Sequence, residues 1–382
     1  MSDVVVIGGG VVGASAAYHL ARSGLSVTLV DRADGGQATA AGAGIISPAT
    51  SVKPPAAYFP LAFKAVEYYS TLLAHLAEDG ETETGYEVAG ALFVATNGEE
   101  AARLPAVQRL VEERRLAGVS HIGVVSRVGA AGARDLFPAL GHIDAAFHVA
   151  GAARVDGRLL RDALQRAAQK RGATVMRGDA VLTRDGDQGV QVTVDGRALP
   201  AGAVVIAGGA WSNKLAETLS VALPVYPQRG QILHLDMRET ETGQWPIVLG
   251  FHAHYILTFP RHRIVAGATR EDDAGYDDRV TAGGAHEALG EALRVAPGLA
   301  SATLREARVG LRPASPDNLP ILGAAPGLRD VYLSTGHGAS GLQLGPYSGA
   351  LIADLLQGKP APLDLAPFAP ERFQATRGDR NV

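Results

Sequence analysis

Val4-Val5-Val6-Ile7-Gly8-Gly9-Gly10-Val11-Val12-Gly13 is the stretch on which the fold turns. Its four β-branched residues read as a buried strand, the consecutive glycines as a tight turn, and the small apolar residues up to Leu20 as a helix. Gly24 stands where a helix ends on a residue free to take positive φ, and Val27-Thr28-Leu29-Val30 is a second strand ending at Asp31. Strand, helix and strand in this order form a βαβ unit, whose strands must be parallel. The glycines of Gly8-x-Gly10-x-x-Gly13 have separate tasks: the turn itself, close approach of backbone to a pyrophosphate, and tight packing of helix on strand. The helix start offers unpaired N–H groups and a positive dipole end to a diphosphate. Asp31, 23 residues beyond Gly8, is placed to accept from an adenosine ribose. These residues predict a dinucleotide site and leave NAD and FAD both open.

Outward from this unit the character changes. After Pro54 and Pro55, Leu61, Val66, Tyr69, Leu72, Leu73 and Leu76 recur at helical spacing. Glu87 to Thr96 reads as a strand and Glu99 to Arg115 as a charged surface helix. Asp156 is the expected cap of a helix through Lys170, with Leu159, Leu160, Ala163, Leu164 and Ala167 on its inner face. Strands flank Asp185-Gly186, a hairpin is expected at Asp195-Gly196, and Ala203 to Ala207 resembles the first strand in composition. Between Val225 and Val309, short strands Gln231 to Leu235, Tyr255 to Phe259 and Arg263 to Ala266, with a helix near Ala282 to Arg294, predict an antiparallel sheet. Strand Val331 to Ser334, glycine-rich Gly336 to Gly341 and a helix to Leu356 repeat the N-terminal theme, and the polar tail after Pro370 is expected to fray. The expected class is α/β (α+β): a Rossmann-like nucleotide-binding domain from residues 1–48, 142–220 and 309–370, and an antiparallel-sheet substrate domain from 49–141 and 221–308.

Composition narrows the chemistry. The 382 residues, 47% hydrophobic and 19% charged, describe a folded chain with room for two domains. A net charge of −4 without a basic run gives no electrostatic footprint for nucleic acid or anionic membrane. The absence of cysteine excludes disulfides, iron–sulfur clusters, thiolate zinc sites and cysteine nucleophiles, so redox chemistry must come from a dissociable cofactor. Two charge-free stretches, Val4 to Ala21 and Gly35 to Val52, fail as membrane spans or signal peptides: one follows Asp3 and holds three glycines in a row, the other holds Pro48 among polar residues and glycines. A cytoplasmic protein without a transmembrane segment is expected. His252 and His254, two apart on an expected strand face, lack a third ligand, and Asp272, Asp273, Asp277 and Asp278 lack calcium-loop spacing, so no metal site is expected. Those acids, and Glu112 to Arg115, are expected to be solvated, and Trp245 to lie in the core or an interface.

Four segments taken together carry a resemblance: Val5 to Gly13, Thr39-Ala40-Ala41-Gly42-Ala43-Gly44-Ile45, Gly310-Leu311-Arg312-Pro313 with Pro316-Asp317, and Gly336-His337-Gly338-Ala339-Ser340-Gly341. In this order, from Met1 to about Leu356, the chain resembles the D-amino-acid oxidase superfamily of flavoproteins, which includes glycine oxidase, sarcosine oxidase and bacterial D-amino acid dehydrogenases. Ala203 to Trp211, with Val155-Asp156 ahead of it, falls where that family has its central nucleotide-domain segment. The resemblance implies FAD, and hydride transfer to flavin N5 from the CH–NH bond of a small amino acid or secondary amine, giving an imine and then an oxo acid. It implies FAD contacts at Gly8, Gly10, Val11, Val12, Gly13, Asp31, Arg32, Thr39, Ala40, Gly42, Ala43, Gly44, Ile45, Ala180, Gly208, Trp211, Arg312, Gly338, Ala339, Ser340, Gly341 and Leu342. Without a cysteine the cysteinyl link of monomeric sarcosine oxidase is excluded, and FAD is expected to be non-covalent unless a histidine tethers it.

The residues themselves agree with this. Gly42, Ala43 and Gly44 are expected to leave backbone bare for a planar ring. The helix start after Gly336 to Gly341 is expected to face the N1–C2 carbonyl edge, where reduced flavin carries negative charge. Arg312, isolated in an apolar frame, suits two-point binding of a carboxylate, with an internal salt bridge as the alternative. Similarity to glycine oxidase implies that Arg312 holds the substrate carboxylate and that Tyr255 adds a hydroxyl; His337 beside the ring and His337 as a structural residue both stay open. No lysine near Tyr255 matches the oxygen-activating lysine of sarcosine oxidase, so O2 and a quinone or protein acceptor both stay open. So do a D-amino acid or imino acid dehydrogenase, a subunit of a larger amine-oxidising complex, and a homo-oligomer; the acidic charge disfavours a tRNA-modifying flavoenzyme.

Overall fold

The computed structural model describes residues 2–51, 54–250 and 252–374; the tail positions 375–382, and Val52 at the end of the second charge-free stretch, lie outside the described residues. A six-stranded sheet runs in the order Ile321–Ala324, Val331–Thr335, Ala201–Ile206, Ser2–Ile7, Val27–Asp31, Thr174–Arg177. The first strand is in its interior, with Val4 opposite both Val27 and Ala203 in parallel register. Successive residues of a strand face opposite sides. Val4 and Val6 join the core under the helices, and Val5 and Ile7 join the one under the hairpin of Ala180–Asp185 and Gly189–Val194. Burial on both sides is why the strand reads as an unbroken apolar run. Only the edge strand Ile321–Ala324 is antiparallel to its neighbour.

Helix Val11–Arg22 crosses from the first strand to the second, and helix Gly341–Leu356, following Val331–Thr335, packs against it. At Gly349 a methyl group would come within 2.6 Å of the Ala16 nitrogen, so the bare glycine is what lets the two helices touch. Helix Gly157–Lys170 begins as expected, with the Asp156 carboxylate accepting from Arg158 and Leu159 N–H. Its inner stripe starts one residue later than expected: Leu159 is exposed, and Leu160, Ala163, Leu164, Ala167 and Ala168 are buried. The hairpin at Asp195-Gly196 pairs Val194 with Arg197, and positive φ at both turn residues matches the twist of the strands.

The second large sheet has eight strands, in the order Thr303–Ala314, Tyr226–Asp236, Arg263–Gly267, Tyr255–Thr258, Ile247–Leu249, Ala91–Ala95, Ala145–Val149, Val125–Val128. It is antiparallel except at one seam, where Ile247–Leu249 pairs with Ala91–Ala95 in parallel. The strand expected over Gln231 to Leu235 is longer, and pairs along its whole length with Thr303–Ala314, from Tyr226 opposite Ala314 to Asp236 opposite Thr303. The strand expected over Glu87 to Thr96 is broken: Gly90 takes a φ of +74 with the His148 ring against it, so Glu87–Val88 pairs instead with Ala153–Arg154. Ala145–Val149 and all of Thr303–Ala314 belong to this sheet, although the former falls within 142–220 and the latter runs past 308. Among the described residues no helix is long and apolar enough to cross a membrane.

Candidate active site

Four parallel strands end at one edge of the six-stranded sheet, and they deliver Gly8, Asp31, Gly208 and Gly336 there. Such an edge is where open α/β sheets bind ligands. Gly8 has a φ of +107, and a methyl on it would overlap the Ala207 carbonyl; one on Gly13 would overlap the Gly8 carbonyl. Gly10 caps helix Val11–Arg22 without a side chain, and the Val11 N–H is met by Thr39 Oγ1 at 3.0 Å. The first-turn amides of Val12 and Gly13 have no intrahelical partner by the geometry of a helix start. The Asp31 carboxylate reaches back over the turn, 2.5 Å from where a Gly9 Cβ would sit, and accepts from Ala33 N–H and Gln37 Nε2. A glycine cradle, a bare helix start and a carboxylate one strand over fit the pyrophosphate and ribose of FAD. Arg32 is exposed and paired with Asp34 and Asp179, Ala180 is buried at the start of the hairpin, and Trp211 follows Gly208 and leans on Tyr276 at 5.9 Å.

In the Thr39 to Ile45 segment two glycines serve the packing of the chain itself. A methyl on Gly42 would lie 2.6 Å from Leu342 Cδ1, and one on Gly44, whose φ is +88, would overlap the Val155 carbonyl. Their bareness lets this segment seat on its own chain, while Ala40, Ala43 and Ile45 remain half-buried beside it. Gly338, Ala339 and Ser340 form a short turn before helix Gly341–Leu356. Two residues that the sequence did not single out tie these segments together: Gln343 accepts from the Ser47 N–H and donates to the Tyr58 hydroxyl, which donates to Ser340 Oγ. A glutamine set between Leu342 and Leu344 at the start of that helix is the signal that marks it. His337 is 4% exposed, with Nε2 3.0 Å from Ser348 Oγ, and burial pushes its pKa down to about 4. Its ring is paired with Ser348.

Arg312 and Tyr255, from strands Thr303–Ala314 and Tyr255–Thr258 of the eight-stranded sheet, lie close enough to act on each other electrostatically. The Arg312 guanidinium donates from both terminal nitrogens to the Thr269 carbonyl at 3.1 Å and from Nη1 to the Arg229 carbonyl at 3.3 Å. Among the described residues no carboxylate lies within salt-bridge distance of it, so the internal salt bridge is not what the fold uses. Burial lowers its pKa from the usual value, yet a guanidinium remains charged. It lies across Gly230, where a methyl would overlap the guanidinium. A glycine inside a strand marks such a close approach, though the sequence does not say what approaches. Burial pushes the Tyr255 hydroxyl up to about 12, against the opposing pull of Arg312 and Arg270, so it is a neutral donor. A charged planar fork near a phenol hydroxyl offers the donors from which a carboxylate can accept.

His252 and His254 sit in the loop before Tyr255, not on one strand face; they pair with Glu291 and Glu287 of helix Ala282–Val295. The acidic loop is anchored, not merely solvated: Asp272 accepts from Gln228, and Asp277 pairs with Arg229 and Arg279. Arg114 is likewise tied down, donating to the carbonyls of Ala49 and Ser51 above the Phe59 ring. Trp245 is buried against Phe137, as expected.

The family model for FAD-dependent oxidoreductases, DAO, matches residues 3–355. The chain is 44% identical over 371 residues to the uncharacterized oxidoreductase YurR of Bacillus subtilis, covering 97% of this chain and 99% of that one. It is 32% identical over 378 residues to the glycine oxidase of Pseudomonas putida, covering 97% and 98%. The crystal structure of iminodiacetate oxidase from Chelativorans sp. BNC1 superposes with a TM-score of 0.92 at 41% identity, covering 96% and 98%. With a match along nearly its whole length and a dinucleotide cradle at the ends of its parallel strands, this chain belongs to the DAO family of FAD-dependent oxidoreductases.

Proposed function

We propose that this enzyme oxidises the CH–NH bond of a small amino acid or secondary amine that carries a carboxylate, of the glycine, sarcosine or D-amino acid type. One observation carries the reading: a charged, half-buried Arg312 held by two backbone carbonyls, with no acid partner among the described residues and with Tyr255 within its electrostatic reach. Glycine oxidase and iminodiacetate oxidase, to which the chain is similar, are both named for substrates with a carboxylate one carbon from nitrogen. Arg312 pairs with that carboxylate and Tyr255 donates to it, which fixes the direction of the adjacent C–H bond. The neutral amine lone pair assists as hydride leaves, so no side-chain base is required. FAD, when bound, takes up the hydride. Gly8, Gly10, Val11, Val12, Gly13 and Thr39 would hold its pyrophosphate, Asp31 its ribose, and the Gly338 to Leu342 turn its ring edge, without a covalent link. The product imine is hydrolysed to an oxo acid. On this reading the FAD domain is the six-stranded sheet with its helices, and the substrate domain is the eight-stranded sheet, so the first domain resumes after Val149 and after Ala314.

The test is a peroxide and dye-reduction screen of the purified holoenzyme against glycine, sarcosine, proline and both enantiomers of common amino acids. Peroxide in air selects an oxidase; dye reduction without peroxide selects a quinone- or protein-linked dehydrogenase. Arg312→Met should lower kcat/KM on the best carboxylate substrate by about 2–5 kcal/mol, or roughly 30- to 4000-fold. An unchanged kcat/KM removes Arg312 from the site.

A further inference from the structure

Arg229 and Glu271 face each other in an antiparallel bridge, closed by hydrogen bonds between their backbones in both directions. The next pair along is Gly230 and Arg270, and residues directly opposite in such a pair share a face. Glu271 turns to the other face, where Oε1 accepts from Gln231 Nε2 and Thr269 Oγ1. Arg270 is therefore on the face where the Arg312 guanidinium lies across Gly230. It is also the residue after the carbonyl that holds Arg312. Both arginines act electrostatically on Tyr255.

The nearby acids are committed elsewhere. Glu271 is paired with Arg229, Asp277 with Arg229 and Arg279, and Asp272 accepts from Gln228. Among the described residues Arg270 has no hydrogen-bond or ion-pair partner and, unlike buried Thr269, is exposed. Arg270 repels the Arg312 guanidinium more strongly than either Glu271 or Asp272 attracts it, and two like charges side by side favour a ligand with two negative charges.

We propose that Arg270 anchors a second carboxylate, so that the substrate is a dicarboxylic amino or imino acid with one arm on Arg312 and the other on Arg270. This rests on the carboxylate-binding reading of Arg312 above. For an amine bearing two acetate arms, the hydride and its electron pair leave the carbon of the Arg312-bound arm, and the N–H proton goes to solvent. Water then adds across the C=N bond and the C–N bond breaks, giving glyoxylate and glycine; the two electrons pass through FAD to O2 or another two-electron acceptor.

The test uses inert ether analogues on the FAD-loaded protein: diglycolate, with two carboxylates, and methoxyacetate, with one, titrated by calorimetry. Diglycolate should bind about tenfold more tightly. Arg270→Gln should collapse that ratio and Arg270→Lys restore part of it, with the same pattern in kcat/KM for iminodiacetate against sarcosine. Equal affinities in the unaltered protein, or a preference that survives Arg270→Gln, overturn the assignment of Arg270 alone if sarcosine is still oxidised. Oxidation of neither amine, or methoxyacetate affinity unchanged by Arg312→Met, overturns the underlying reading and the proposal with it.

Discussion

Gly230→Ala is the sharpest probe of the proposed carboxylate site, because it touches Arg312 without changing it. A methyl at position 230 would overlap the Arg312 terminal nitrogens and its central carbon, while Gly230 itself has no positive φ to lose. The backbone accepts alanine, and the flexible end of Arg312 has to give way. Restoring van der Waals separation requires the guanidinium to move by about 1 Å or more. That shift takes it off the Thr269 carbonyl and away from Tyr255. A displacement of this size in a positioning group costs about 100-fold in rate, or about 2.7 kcal/mol of transition-state stabilisation. The assay is kcat/KM on the best carboxylate substrate from the screen, beside thermal unfolding of the same holoenzyme. The expected result is a loss of about 100-fold in kcat/KM with the melting temperature within a few degrees of the parent. An alanine variant within twofold of the parent would refute the placement of Arg312 over Gly230 as a functional contact.

Two further outcomes follow from the packing. Gly44→Ala puts a side chain at a φ of +88 and into the Val155 carbonyl, and should cost about 2–4 kcal/mol of stability; urea unfolding of the holoenzyme that changes by less than 0.5 kcal/mol, on the order of measurement error, would contradict it. His234 and His337 are both buried, and burial holds each at a pKa of about 4 in the folded chain, below the ordinary value near 6.5. Each contributes stability that is fully present above the unfolded value and lost as pH falls from 6.5 toward 4, by up to about 3 kcal/mol per ring. Urea midpoints across that window should fall steeply in the parent and less steeply in His337→Gln; parallel profiles would remove His337 from the account.

The nucleotide half of the molecule was legible because its signals are local. An unbroken apolar strand, three glycines and an acid at the next strand end specify one another over some thirty residues, and the Asp156 cap and the Asp195-Gly196 turn are readable within four. Arg312 stood out by its apolar frame and resemblance added Tyr255, and the fold places the two within electrostatic reach of each other. What stayed hidden depends on register between distant strands. Gly230 matters because Arg312 crosses it, and Arg270 because it stands opposite Gly230; neither fact is written near either residue. The packing role of Gly42 and Gly44 was hidden for the same reason, since Leu342 and Val155 are remote in sequence. His252 and His254 were misplaced because the strand begins only at Tyr255, with two helix glutamates drawing the rings aside.

The seam where Ile247–Leu249 lies alongside Ala91–Ala95 bears on how such a chain comes into being. During synthesis Ala91–Ala95 waits for a neighbour made about 150 residues later, and Ser2–Ile7 waits still longer for Ala201–Ile206. Contacts so far apart in sequence slow folding and leave apolar strand edges open to other molecules in the meantime. A growing polypeptide of this design must keep both edges shielded until most of its length has left the ribosome.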